Sequence, residues 1–251
     1  MPIAAALPSD DPESEPAKLP QIVAIGGGGF LDGSENLALE NFILGLANKP
    51  RPRVCFVPTA SGDSEQYMLK FYASFAKLPA NATHLPLFRL AATDLRSFLL
   101  GQDIVYVGGG NTRNMLVLWH EWGLDVILRE AWEKGTILCG ISAGSICWFE
   151  EGLSDSVAAG ELRPLTCLGF LQGSNCPHYD GEPLRRPCFQ SFISEGLMIG
   201  GYAADDWVGL HFVGSKLHQV VSARPNANAY EVSRNRAGLH EKVIRPVLLG
   251  P

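Results

Sequence analysis

Five short apolar runs, most followed by residues at helical spacing, set the strongest constraint on what this chain can fold into. Residues 21–25 (QIVAI), 53–57 (RVCFV), 83–87, 103–107 (DIVYV) and 136–140 (TILCG) read as buried strands. After the first run, Leu39, Phe42, Ile43 and Leu46 recur as on one helix face. After the second, Met68, Phe71, Tyr72 and Phe75 do the same, with Ser61 or Asp63 available as a cap. Helical sequence runs from about residue 112 to 134, and Gly123 divides it in two. Parallel neighbours need a crossover, and strands apolar on both sides must be covered on both faces. The pattern therefore predicts a doubly wound, mostly parallel α/β sheet.

The last third reads differently. Residues 207–213, 216–222, 229–232 and 243–249 look like strands joined mostly by short turns. An antiparallel hairpin added to the parallel sheet is the simplest account, with Pro246 confining the last run to an edge. Residues 1–20 carry Pro2, Pro8, Pro12, Pro16 and Pro20, with four acids against Lys18 alone. Such a segment cannot offset its ordering entropy by burial, so a mobile tail is expected, leaving 21–251 as a single domain.

Composition narrows the function. A 46% hydrophobic chain of 251 residues can bury a real core, while a net charge of −6 argues against nucleic acid or an anionic membrane as the main partner. No apolar run reaches the length of a transmembrane helix, and the N-terminus lacks the basic start and apolar centre of a secretory signal. Cys55, Cys139, Cys147, Cys167, Cys176 and Cys188 form no CxxC pair and lie in apolar stretches. They read as buried thiols of a reducing cytoplasm rather than a zinc site.

Gly140-Ile141-Ser142-Ala143-Gly144 follows a predicted strand and precedes a predicted helix. That is the context in which G-x-S-x-G forms a nucleophile elbow: a sharp turn lifts the serine hydroxyl above the carboxyl end of the sheet. The flanking glycines relieve clashes that side chains would cause, and the Ala143 amide and the helix dipole favour negative charge there. The plainer alternative is a tight turn with a capping serine.

Gly108-Gly109-Gly110-Asn111-Thr112 likewise follows a predicted strand and opens a helix. Its backbone amides can converge on an anion, making it a second half for an oxyanion hole, with Asn111 or Thr112 as cap. Gly26–Gly29 does not fit the dinucleotide fingerprint, since the third glycine position holds Leu31 or Asp32. It reads as close backbone packing or a wall of the active site.

A serine nucleophile needs a base, usually histidine. His120, His84, His240, His211 and His218 fall on helical, strand-like or charged turn sequence; His178 lies in a loop after the apolar run 167–171. Loops at strand ends are where catalytic side chains gather. The base needs an acid. Asp205 and Asp206 stand at the start of a strand, where one should point inward, with Asp155, Asp180, Glu150 and Glu151 as rivals.

Residues 107–112 (VGGGNT), 140–145 (GISAGS) and Pro177-His178, in this order and spacing, resemble the peptidase E family of serine peptidases, whose wider group includes cyanophycinase. The resemblance covers most of residues 21–215. It implies the flavodoxin-like fold of class I glutamine amidotransferases, with Ser142 where those enzymes carry cysteine. It also implies Ser142 as nucleophile, His178 as general base and the amides of Ala143 and Gly109 or Gly110 as oxyanion donors. The family acid is a glutamate shortly before a late strand; Asp205-Asp206 occupies that place, Asp206 aligning better but one methylene shorter. In aspartyl dipeptidases an arginine downstream of the histidine grips the substrate carboxylate, and Arg185 is the nearest match. Asn111 and Tyr179 are the other candidate substrate contacts.

The expectation is thus a cytoplasmic serine peptidase acting on dipeptides or short peptides, with a possible preference for an acidic N-terminal residue. No metal or organic cofactor is implied, and a homodimer is left open. The alternatives are a cyanophycinase-like hydrolase or esterase on the same triad, and a catalytically silent binding protein on the same fold.

Overall fold

The computed structural model describes residues 19–33, 35–89, 94–158 and 160–250. Strands β1 (Gln21–Ile25), β2 (Arg53–Val57), β3 (Asn81–His84), β4 (Ile104–Val107) and β5 (Ile137–Ile141) alternate with helices α1 (Ala38–Leu46), α2 (Glu65–Phe75), α3 (Leu95–Leu100), α4 (Thr112–Glu121) and α5 (Leu124–Glu133). The expected break is present: Gly123, at φ 64°, separates α4 from α5. A single-turn helix α6 (Ala143–Ile146) leads to β6 (Phe149–Ala158), β7 (Glu161–Thr166) and β8 (Leu171–Cys176). Helix α7 (Arg185–Glu195) precedes β9 (Gly201–Ala204), β10 (Val208–Val213), β11 (Lys216–Ser222), β12 (Ala229–Asn235), β13 (Gly238–Ile244) and β14 (Val247–Leu248).

Among the described residues these strands form two sheets. The first has the order β14-β11-β10-β1-β5-β4-β2-β3. Its parallel part is the predicted one, and β10 and β11 extend it in antiparallel fashion beyond β1. Side chains alternate across it. Ile22, Ala24, Cys55, Val57, Val105, Val107 and Leu138 face a core completed by α3, α4 and α5. Val23, Ile25, Val54, Phe56, Ile104, Tyr106 and Cys139 face another completed by α1 and α2. Burial on both faces is why these runs are continuously apolar.

The second sheet, β13-β12-β9-β8-β6-β7, corrects the sequence expectation. Residues 229–232 and their partner do not extend the first sheet; β12 pairs with β9 and β13 instead. The strand read at 167–171 lies later, at Leu171–Cys176, and the one read at 83–87 lies earlier, at Asn81–His84. Helix α7 covers this sheet, burying Phe189 and Ile193 with Leu153, Cys176, Ala203 and Val232. These strands carry Gly, Ser and Asn, as in LQGSNC, so their hydrophobic signal is weak. The N-terminal tail expected over residues 1–20 falls almost wholly outside the described residues.

Candidate active site

Ser142 sits between β5 and α6 at φ 57°, ψ −111°, a conformation that side-chain-bearing residues rarely adopt. Such strain is held only where surroundings over-determine it. Here they do. A Cβ on Gly140 would lie 2.4 Å from the Gly144 carbonyl oxygen, and one on Gly144 would lie 2.3 Å from the Val107 oxygen. The elbow is therefore wedged against β4, with the Ser142 amide also bonded to the Ile25 carbonyl (3.2 Å). Helix α6 is only one turn long, so the dipole expected behind the serine is small. What remains is the Ala143 amide itself, at the head of the turn.

The loop after β4 runs beside the hydroxyl. A Cβ on Gly109 would come within 3.3 Å of Ser142 Cβ and 3.8 Å of its Oγ. Gly110, at φ 136°, passes so close to Ala60 that a Cβ would meet its carbonyl oxygen at 2.2 Å. Bonds to neighbouring carbonyls are made by Gly108 and Asn111 on either side, to Val57 (3.1 Å) and Ala60 (2.7 Å). Gly109 and Gly110, between them, line the pocket in front of Ser142.

His178 follows β8, also at positive φ (54°), and its Nδ1 bonds Asp206 Oδ1 at 2.7 Å. An ionised carboxylate can only accept, so Nδ1 carries the proton and the neutral ring offers Nε2 as an acceptor. The hydrogen bond from His178 holds the Asp206 carboxyl below the ordinary range, opposing the upward push of burial; Arg224 and Arg185 add to the lowering. Asp180 Oδ1 accepts the Asp206 N–H (2.9 Å) and pairs with Arg224, fixing the loop from behind.

Asp205 does something else. Its side chain is buried, and Oδ2 accepts the Asn228 N–H at 2.8 Å. Burial pushes its carboxyl up to about 6, with Asp180 adding to the rise. The two carboxylates thus point apart, as expected of neighbours: Asp205 is buried against β12, and Asp206 is the one that meets the imidazole.

The Gly26–Gly29 loop after β1 ties these parts together. The Gly26 carbonyl accepts the His178 N–H (3.1 Å), and the Gly27 carbonyl accepts the Trp207 N–H (2.8 Å). A Cβ on Gly27 would fall 1.8 Å from Asp206 Oδ1 and 2.6 Å from His178 Nδ1. The close backbone packing read from the sequence is present, and Gly28 of this loop lines the pocket in front of Ser142.

Ser142 and His178 line one pocket of about 210 Å³ with Gly28, Leu31, Asp32, Tyr67, Gly109, Gly110 and Ile141. No hydrogen bond joins Ser142 Oγ to the imidazole among the described residues; such bonds commonly tighten only around substrate. The other candidates lie elsewhere. Arg185 is 3% exposed, with Nε on Glu182 and Nη1 on the Leu153 carbonyl (2.7 Å each), and it does not line the pocket, so the expectation that it grips a substrate carboxylate is corrected: it is buried away from that space. Tyr179 is buried and donates to Glu241 (2.6 Å), anchoring the His178 loop. Asn111 caps α4 through the Asn114 N–H. Asp32, Tyr67 and Leu31 were not singled out by sequence. The signal for the first was its place just beyond the first strand, where open α/β sheets bind ligands; Tyr67 lies on α2 with no such cue.

A sequence model described as Peptidase family S51 matches residues 22–220. The uncharacterized peptidase YgaJ of Bacillus subtilis (strain 168) is 56% identical over 212 residues, which is 84% of this chain and 91% of the relative. A peptidase crystal structure from an acI-B1 actinobacterium aligns with a TM-score of 0.68 at 18% identity, covering 92% of this chain and 96% of that one. A putative peptidase E protein from Listeria monocytogenes EGD-e aligns with a TM-score of 0.60 at 18% identity, covering 82% and 98%. The structural likenesses share the mixed α/β fold, and the family match and the Bacillus relative together establish that this chain belongs to peptidase family S51.

Proposed function

We propose that the protein is a serine peptidase that hydrolyses dipeptides or short peptides. Ser142 Oγ attacks the scissile carbonyl while His178 Nε2 takes its proton. The amides of Ala143 and of Gly109 or Gly110 hold the oxyanion. The imidazolium then protonates the leaving amine, and water repeats the sequence to release the acyl group. Asp206 keeps His178 in the right tautomer and stabilises its charged form. The observation that carries this reading is the His178–Asp206 bond of 2.7 Å on one wall of the pocket whose other wall is the strained Ser142 elbow. At about 210 Å³ the pocket is smaller than the roughly 300–1,000 Å³ of ordinary small-molecule sites, which supports short substrates. Six unpaired cysteines, most of them buried, support a cytoplasmic location.

The expected preference for an acidic N-terminal residue finds no support in the pocket lining, where no lysine or arginine stands. A dipeptide panel with acidic, neutral and basic N-terminal residues tests the activity. Turnover by the native chain, lost in Ser142→Ala with an unchanged melting temperature, is the expected result. Turnover near the native level in Ser142→Ala ends the reading.

A further inference from the structure

Asp32 is the one carboxylate in the lining of the pocket, and it is exposed there. The ionisable groups of the lining are Asp32, Tyr67 and His178. His178 already has Asp206. Lys70, tied to the same turn, bonds only a neutral carbonyl and keeps its charge, while the arginines on the His178 side of the site are paired. Lys70 donates to the Leu31 carbonyl (2.7 Å) and lies over the Tyr67 ring; Arg185, Arg224 and Arg186 pair with Glu182, Asp180 and Glu241. Asp32 has no ion pair among the described residues.

Its position is nonetheless built. Asp32 ends a 3₁₀ turn, Gly29–Asp32, whose Phe30 is fully buried. The Phe30 ring meets Phe56, Phe71, Phe75 and Tyr106 with centroids 5.1–5.8 Å apart. The Phe30 N–H donates to Glu40 Oε1 (2.9 Å), a carboxylate only 1% exposed. A Cβ on Gly29 would come within 2.7 Å of that same oxygen. With the Lys70 bond to Leu31, the turn is pinned on both sides of its backbone, and the exposed carboxylate of Asp32 is carried at its tip.

We propose that Asp32 is a specificity-determining residue that receives a cationic group of the substrate, either a free α-ammonium or a basic side chain next to the scissile bond. The proposal deepens the peptidase reading and rests on it only for where the scissile carbonyl lies. A substrate covering the pocket displaces water from the carboxylate, so the charge pair strengthens on binding and discriminates against an acidic neighbour.

The test separates the two readings by measuring binding and turnover independently. Binding is followed by calorimetry on Ser142→Ala with and without Asp32→Asn, using Ala-Ala, N-acetyl-Ala-Ala, N-acetyl-Lys-Ala and Asp-Ala. Turnover of the same peptides is followed with native protein and with Asp32→Asn. The expected result is that Asp32→Asn weakens Ala-Ala and N-acetyl-Lys-Ala by about tenfold, about 1.4 kcal/mol, leaves N-acetyl-Ala-Ala unchanged, and narrows the gap by which Asp-Ala binds more weakly than Ala-Ala. Loss confined to Ala-Ala identifies the α-ammonium; loss confined to N-acetyl-Lys-Ala identifies the side chain. Turnover that is indifferent to Asp32 and to substrate charge overturns the proposal and leaves the peptidase reading standing. Charge-selective binding without turnover does the reverse. Neither binding nor turnover ends both.

Discussion

The two halves of the candidate site come from different sheets. Ser142 is delivered by β5 of the first sheet, between neighbours β1 and β4, and its glycines are locked against backbone. His178 and Asp206 are delivered by β8 and β9 of the second sheet and are held by single loop contacts: the His178 amide bonds the Gly26 carbonyl, Gly181 packs on the Asp206 carboxylate and Asp180 bonds its amide. The backbone of the first half is therefore part of the core, and a side chain added at its glycines disturbs folding. The second half is a loop assembly whose geometry rests on a few polar contacts, so it can be damaged with the fold intact. The Gly26–Gly29 loop joins the halves.

That contrast can be attacked in several places. The largest effect is expected from Asp206→Asn, which leaves the imidazole with the wrong tautomer and lowers kcat by about 10⁴-fold with little change in melting temperature. An equal loss in Asp205→Asn would transfer the orienting role to its neighbour. Gly27→Ala forces a methyl into the His178–Asp206 bond, so kcat/KM falls by about 10²-fold or more, while circular dichroism stays native. Gly144→Ala meets a backbone carbonyl instead, so it costs roughly 3 kcal/mol of stability in denaturant titration. Equal stability losses in the two glycine variants would erase the distinction between the halves.

The smallest effect concerns Asp205. Its folded-state carboxyl is raised from 3.8 to about 6, so between these values the native state binds more protons than the unfolded one. Stability contributed by the neutral form is complete at low pH and declines as pH rises through that window. Asp205→Asn retains an acceptor for the Asn228 amide but cannot titrate. Relative to this variant, the native melting temperature should drop by a few degrees across the window, and parallel curves would refute the assignment.

The same contrast decided what could be read in the sequence. The first-sheet strands are buried on both faces, so their apolar runs and the helical spacing between them stood out, and the elbow and glycine loop were found as strand-end features. The second sheet was missed because β8 and β9 are short and Gly-containing, and because β6 and β8 pair in parallel with β7 lying between them in the chain. His178 was reached through its loop and the family resemblance rather than through periodicity. Arg185 had the right residue type but is buried and pairs with the exposed Glu182, an i,i+3 contact that also fits a helix start. Asp32 carried no local pattern at all; only the loop before it, after the first strand, marked the region.

The central claim is that the two sheets bring a hydroxyl and an imidazole–carboxylate pair to one wall-to-wall pocket. Its most direct test is the rate and site of labelling by a fluorophosphonate, read by intact mass and peptide mapping on native protein and on His178→Ala. The account predicts a single adduct on Ser142 in the folded chain, formed at least about 10²-fold more slowly without the imidazole. A natively folded protein that takes no adduct, or labels at Ser142 equally fast without His178, would contradict it.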